Sequence, residues 1–166
     1  RARFGGRLKF FVSGGAPLSY DIGLFFTALG VKILQGYGQT ETAPVVSCNP
    51  PGRVKLHTVG PPFTGVEVRI AGDGEILVRG ELVMQGYWGD DAATAEAIRD
   101  GWLHTGDIGL IDEDGYLQIT DRKKDIIKTA AGKMLAPQPI ENELKQSPYI
   151  QNAVVIGDRR KFPSAL

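Results

Sequence analysis

Two glycine-rich turns hold the first residues able to do chemistry. Ser13-Gly14-Gly15-Ala16-Pro17 follows the apolar run Leu8 to Val12, and Gly36-Tyr37-Gly38-Gln39-Thr40-Glu41 follows Val31 to Leu34. In the first turn, small residues let the backbone approach a ligand closely. In the second, Tyr37 offers a flat aromatic face, Thr40 a hydroxyl and Glu41 a carboxylate able to hold Mg²⁺. An adenine ring, a phosphate and a metal ion need these three groups. Each turn by itself also reads as a structural glycine corner. No G-x-x-x-x-G-K-[ST] phosphate loop occurs.

Two further stretches add charge. In Gly101-Trp102-Leu103-His104-Thr105-Gly106-Asp107, the carboxylate of Asp107 could accept hydrogen bonds from two ribose hydroxyls, or could cap backbone N–H groups in a turn. Arg122-Lys123-Lys124 reads either as positive charge for a phosphate or as a solvated surface. His104 has no second histidine or cysteine at ligand spacing. Asp112-Glu113-Asp114-Gly115 looks in part like a calcium loop, but it lacks the remaining ligand spacing and reads as a hairpin turn.

The elements that must position these groups change character along the chain. Leu8 to Val12, a helix from Ser19 to Leu29 closed by Gly30, and Val31 to Leu34 form a strand–helix–strand unit, the signature of a parallel sheet. Both glycine turns then follow carboxyl ends of parallel strands, where open α/β sheets bind ligands. A proline-rich connection runs from Asn49 to Gly65. After it, Val66 to Ile70 and Glu75 to Arg79 alternate around Asp73-Gly74, a hairpin signal. A short helix is expected over Ala92 to Arg99, then extended segments over Leu103 to Ile111 and Tyr116 to Thr120, with the charged run Asp121 to Asp125 interrupting the sheet. Ile126 to Thr129, a turn at Gly132, a helix from Pro139 to Gln146 and a strand at Val154 to Ile156 complete the chain. The fold class expected is α/β plus β: the end of a parallel βαβ sheet, a small antiparallel β-subdomain, and the start of a small α+β domain.

Bulk properties exclude several functions. The chain has 166 residues, 19 basic and 19 acidic, so its formal charge is zero and it lacks the basic footprint of a nucleic-acid binder. An apolar share of 42% suits a core-forming globular protein. Cys48 is the one cysteine, which excludes an intrachain disulfide and a cysteine zinc cluster. No apolar run approaches the ~18 residues of a membrane span. The first residue is Arg1 and an apolar run comes within ten residues, so an internal fragment of a longer protein is expected.

In combination and order, the motifs are more specific than any one alone. Ser13 to Leu18, Gly36 to Glu41, Gly74 to Gly80, Trp102 to Asp107 and Asp121 to Asp125 together closely resemble the adenylate-forming enzymes, which include acyl-CoA synthetases, luciferases and peptide-synthetase adenylation domains. The run Thr120 to Lys128 and the Gly132-Lys133 turn look most like long-chain fatty-acid–CoA ligases. The resemblance implies that ATP and a carboxylate give acyl-adenylate and pyrophosphate, and that the thiol of coenzyme A then displaces AMP. It implies nucleotide contacts by Gly15, Ala16, Pro17, Gly36, Tyr37, Gly38, Thr40, Asp107 and Arg122, with Tyr37 stacked on adenine. Thr40 and Glu41 are the implied catalytic pair, with Glu41 on Mg²⁺. Lys124 matches the hinge between a large and a small domain, and Gly132 and Lys133 lie in the implied mobile loop.

On this resemblance, residues 1–123 are the back of a large ATP- and acid-binding domain (1–60 the βαβ part, 61–123 the β-subdomain), and residues 124–166 are the first half of a small domain. The phosphate loop is implied upstream of Arg1 and the adenylation lysine beyond Leu166, so this piece alone is expected to be inactive. Fatty acid, ATP and coenzyme A are the implied partners, in a cytoplasmic protein with peripheral membrane contact left open. Alternatives are an acyl-AMP ligase, a peptide-synthetase adenylation domain, or a noncatalytic nucleotide-binding module. Removal of Asp107 is expected to weaken ATP binding with little effect on stability.

Overall fold

The computed structural model describes residues 5–166. Its first layer is a three-stranded sheet ordered β1-β2-β3, made of β1 (Phe11–Ser13), β2 (Ile33–Tyr37) and β3 (Ser47–Cys48). β1 and β2 are parallel, with Val12 opposite Leu34, and α1 (Tyr20–Ala28) lies in the crossover between them. The expected βαβ unit is therefore present, with its strands two or three residues later than the apolar runs suggest. Ser13 pairs with Gln35, and Gly36 and Tyr37 pair with Cys48 and Ser47, so pairing extends into both glycine turns.

The second layer is a five-stranded antiparallel sheet. Its path runs β4 (Glu67–Ile70), β5 (Glu75–Arg79), β7 (Trp102–Ile111) and β6 (Ile98–Arg99), with β8 (Leu117–Arg122) also paired to β7. Along β7, burial alternates: Leu103, Thr105, Asp107 and Gly109 face inward. Period two thus puts Asp107 on the same face as core residues. The core holds Val46, Ile76, Val78 and Leu117, each fully buried, with Tyr37, Val59 and Ile119 packed against them. Tyr37 comes from the first sheet and Leu117 from the second, so one core joins the two layers.

Three expectations change. The helix expected over Ala92 to Arg99 is α2 (Asp91–Ala97), and Ile98 and Arg99 pair instead with Leu103 and Trp102. Strand pairing outcompetes the last helical turn there, and α2 keeps a real start, since Asp90 accepts the N–H of Ala93. The charged run does not interrupt the sheet: Asp121 and Arg122 are the last residues of β8, opposite Ile108 and Asp107. The helix expected from Pro139 is α3 (Pro137–Leu144), whose first-turn proline loses no hydrogen bond. The remainder is a β9–β10 hairpin (Ile127–Lys128 with Met134–Leu135) and a β11–β12 pair (Val155–Ile156 with Ser164–Ala165). None of the described helices is long and apolar enough to cross a membrane.

Candidate nucleotide site

A cavity of about 680 Å³ opens where the two sheets and α3 meet, within the size range of small-molecule sites. Gly15, Ala16, Pro17, Gly36, Tyr37 and Gly38 line one side, Asp107, Asp121 and Arg122 another, and Gln138, Pro139 and Asn142 of α3 a third. Eight of the expected nucleotide residues therefore share one concave surface, although they come from β1, β2, β7 and β8. Parallel pairing of β1 with β2 sets the two glycine turns side by side. Direct pairing of Asp107 with Arg122 across β7 and β8 supplies the charged wall.

Gly38 is required by space rather than by flexibility. A Cβ there would collide with the Pro44 carbonyl oxygen. This tight return lets Tyr37 O accept the N–H of Val46 at 2.8 Å and fixes the segment that follows.

Asp107 is the electrostatic centre. It is only 4% exposed. Its Oδ2 accepts the Tyr37 hydroxyl at 2.6 Å and the Gln39 amide at 2.8 Å, and its Oδ1 faces Arg122 Nε at 3.2 Å. A carboxylate offers about four acceptor positions. Oδ2 is filled, while Oδ1 retains one, and the Arg122 side chain is largely exposed and able to move. Burial, followed by the Asp107 charge, pushes the Tyr37 hydroxyl far above its ordinary value, so it stays a donor. Asp107 is thus no free turn carboxylate, and the expectation that its loss spares stability is corrected. Without it, the Tyr37 hydroxyl loses this acceptor and the Gln39 amide keeps only the Thr105 carbonyl.

Gln39 is a site residue that the motif contained but the reading by residue type passed over. Its amide also donates to Thr105 O, tying the β2 turn to β7. Asp121 was likewise missed. It is 2% exposed, its Oδ2 has no hydrogen-bond partner among the described residues, and it lines the cavity. Burial pushes its carboxyl up, and the charges of Asp125 and Glu141 act in the same direction.

Thr40 and Glu41 stand apart from this wall. They occupy a short 3₁₀ turn, Thr40–Thr42, closed by a reciprocal Gln39–Thr42 cap. Thr40 is exposed. Glu41 Oε1 accepts the Tyr87 hydroxyl at 2.8 Å, which raises the tyrosine pKa, while Oε2 accepts nothing among the described residues. No cluster of three or more metal-binding side chains exists among the described residues. A single carboxylate with one open oxygen does fit Mg²⁺, which is commonly held by one or two carboxylates, phosphate oxygens and water. Lys124 is exposed in the turn after β8, and Gly132 and Lys133 lie in the β9–β10 turn; none of the three lines the cavity. The acidic hairpin at Asp112 and Asp114 is engaged by Lys55 and Arg53.

The family model for AMP-binding enzymes matches residues 1–88, and that for the AMP-binding enzyme C-terminal domain matches residues 124–166. The long-chain-fatty-acid–CoA ligase FadD15 of Mycobacterium tuberculosis is 49% identical over 166 residues, covering all of this chain and 28% of the ligase. A feruloyl-CoA synthase of Amycolatopsis is 40% identical over 162 residues, 90% of this chain and 33% of that protein. The o-succinylbenzoate CoA synthetase of Bacillus subtilis, solved with its acyl-adenylate intermediate, superposes with a TM-score of 0.87 at 30% identity, over 95% of this chain and 36% of that one. The chain therefore spans about a third or less of the relatives it matches. With one family model covering more than half of its residues and a second covering its end, this chain belongs to the AMP-binding enzyme family.

Proposed function

We propose that this chain is the nucleotide-binding part of a longer ATP-dependent ligase that joins long-chain fatty acids to coenzyme A. The observation that carries the reading is the buried Asp107 carboxylate on the cavity wall, flanked by Tyr37 and Arg122 and facing the two glycine turns. Oδ1 of Asp107 has capacity for a ribose hydroxyl, and Arg122 can turn from the carboxylate toward a phosphate or ribose oxygen. Gly15, Ala16 and Pro17 offer a surface of small side chains to the purine, with the Tyr37 ring on the neighbouring turn. In the first step a carboxylate oxygen attacks the α-phosphorus of ATP and pyrophosphate leaves. In the second the thiol sulfur of coenzyme A attacks the acyl carbon, the thiol proton is lost, and AMP leaves. Dividing the reaction replaces a poor leaving group by AMP.

Thr40 supplies a hydroxyl for the α-phosphate, and Glu41 is the residue that would hold Mg²⁺. When bound, that ion offsets phosphate charge as the anionic acid approaches. Lys124 is the pivot between domains 1–123 and 124–166, and Gly132 and Lys133 move with the second domain. The 49% identity to a long-chain ligase favours fatty acids, while the 40% identity to a feruloyl-CoA synthase makes aromatic acids the competing substrate class. Acid-dependent ATP–pyrophosphate exchange by the full-length protein, run with a fatty-acid series and with ferulate, tests the assignment. Exchange with long-chain acids, followed by acyl-CoA formation, is expected. Exchange with ferulate alone would move the protein to the aromatic class, and ATP binding without exchange would make it a nucleotide-binding module.

A further inference from the structure

Outside the cavity wall, the carboxylate of one buried acid gathers three groups, two from β7 and one from the residue after β8. Glu75, the first residue of β5, is 4% exposed. Its Oε1 accepts the Gly106 N–H at 3.0 Å, and its Oε2 faces Lys123 Nζ at 2.8 Å and His104 Nδ1 at 3.0 Å. Its own N–H donates to Asp73 Oδ1, and Asp73 Oδ2 is the second partner of Lys123, at 2.7 Å. Lys123 N–H donates in turn to Gly106 O at 2.8 Å. Gly106 precedes Asp107, and Lys123 follows Arg122. The carboxylate thus grips the neighbours of both members of the charged pair. Gly106 has φ +71, a left-handed conformation that reverses the peptide so that its N–H can reach inward to Glu75.

We propose that Glu75 is a positioning residue of the nucleotide site: through Gly106 and Lys123 it sets the crossing of β7 and β8 at which Asp107 and Arg122 face the nucleotide. Lys123 also directly precedes the proposed pivot at Lys124, so the same clamp fixes the β8 side of that pivot. Glu75 does not line the nucleotide cavity and so acts on it only through these neighbours. The exposed Lys123–Asp73 pair adds little by itself, because solvent screens it. The buried Glu75 oxygens matter more, since an acceptor at 4% exposure that loses its donors has poor access to water.

The kinetic arm of the test rests on the ligase reading, and the binding arm does not. In the full-length protein, Glu75→Gln keeps the shape and removes the charge. The Kd for AMP by calorimetry, and the ATP KM in pyrophosphate exchange, should both rise about five- to twentyfold. The kcat of exchange should stay within about twofold, because no group touching the reacting atoms has changed. Lys123→Met should raise Kd in the same direction, and the double variant should be no worse than Glu75→Gln, because the two residues act as one unit. An unchanged Kd in folded Glu75→Gln, or a lower kcat at constant KM, overturns the proposal. If Glu75→Gln does not fold, Lys123→Met decides, and a wild-type Kd there overturns it too. Wild-type protein that binds AMP yet shows no exchange with any acid fells the ligase reading, while the Kd ratios still decide the role of Glu75.

Discussion

Asp107 must serve the protein and its ligand at once. Its Oδ2 closes hydrogen bonds from Tyr37 and Gln39, whereas Oδ1 faces the exposed Arg122 on the cavity wall. Asp107→Asn keeps an acceptor for the tyrosine hydroxyl but removes the charge. It should raise the ATP KM of the full-length protein roughly tenfold and cost little stability. Asp107→Ala should raise KM roughly ten- to a hundredfold and lower unfolding free energy by ~1–3 kcal/mol, because the half-buried Tyr37 and Gln39 donors lose a shared acceptor. Urea unfolding beside the kinetics separates the two effects. Glu75 predicts a pH dependence. Burial alone would raise its carboxyl, but hydrogen bonds from Lys123, His104 and the Gly106 N–H outweigh this and hold it below its ordinary 4.5. Since the folded value is the lower one, the stabilisation is complete above the unfolded value and is lost as pH falls through the folded one. The urea midpoint of wild-type protein should therefore drop in acid more steeply than that of Glu75→Gln. Parallel curves would show that the clamp adds no pH-dependent stability.

At the scale of elements, residues close in sequence were easier to read than residues brought together by pairing. The βαβ unit was legible because Leu8 to Val12 and Val31 to Leu34 are apolar runs bounded by glycine turns, and the β4–β5 hairpin because Asp73-Gly74 interrupts an alternating pattern. The strands Ser47–Cys48, Ile98–Arg99 and Ser164–Ala165 were not, since two residues carry no period and their partners alone make them strands. The site divides in the same way. Asp107 and Tyr37 were named from their motifs, but their 2.6 Å bond joins residues on separate sheets and leaves no local trace. Asp121 was read as the start of a charged run that interrupts the sheet, yet it is a buried residue of β8, which packs against α3. Lys124 illustrates what an element boundary can predict. Its neighbours are fixed, with Lys123 N–H on Gly106 O and Asp125 N–H on Arg122 O, while its own N–H makes no hydrogen bond among the described residues. Lys124→Pro therefore removes no bond but locks φ near −65°. If Lys124 is the pivot, the full-length variant should keep most acyl-adenylate formation and lose most thioester formation. Equal slowing of both half-reactions would reduce Lys124 to a surface lysine.

The whole molecule carries an apolar helix that the described residues leave largely uncovered. Tyr20, Ile22, Leu24, Phe25 and Leu29 of α1 and its end are all exposed. Apolar patches of this kind mark surfaces that pack on something else, and the matched relatives are about three times as long as this chain. Residues 1–166 expressed alone should bind a hydrophobic dye more strongly than the full-length protein and should form no acyl-CoA; acyl-CoA formation above a protein-free control would show that the chain suffices. The account as a whole turns on whether the Asp107 carboxylate meets the ribose. The direct measurement is a cycle in which the KM of ATP and of deoxyATP analogues lacking one ribose hydroxyl is compared between wild-type and Asp107→Ala full-length protein. If the contact exists, deleting the hydroxyl should cost wild-type enzyme about tenfold and the variant almost nothing, because the partner is already gone. Equal penalties in both proteins would mean that Asp107 does not touch the ribose, and would contradict the nucleotide site described here.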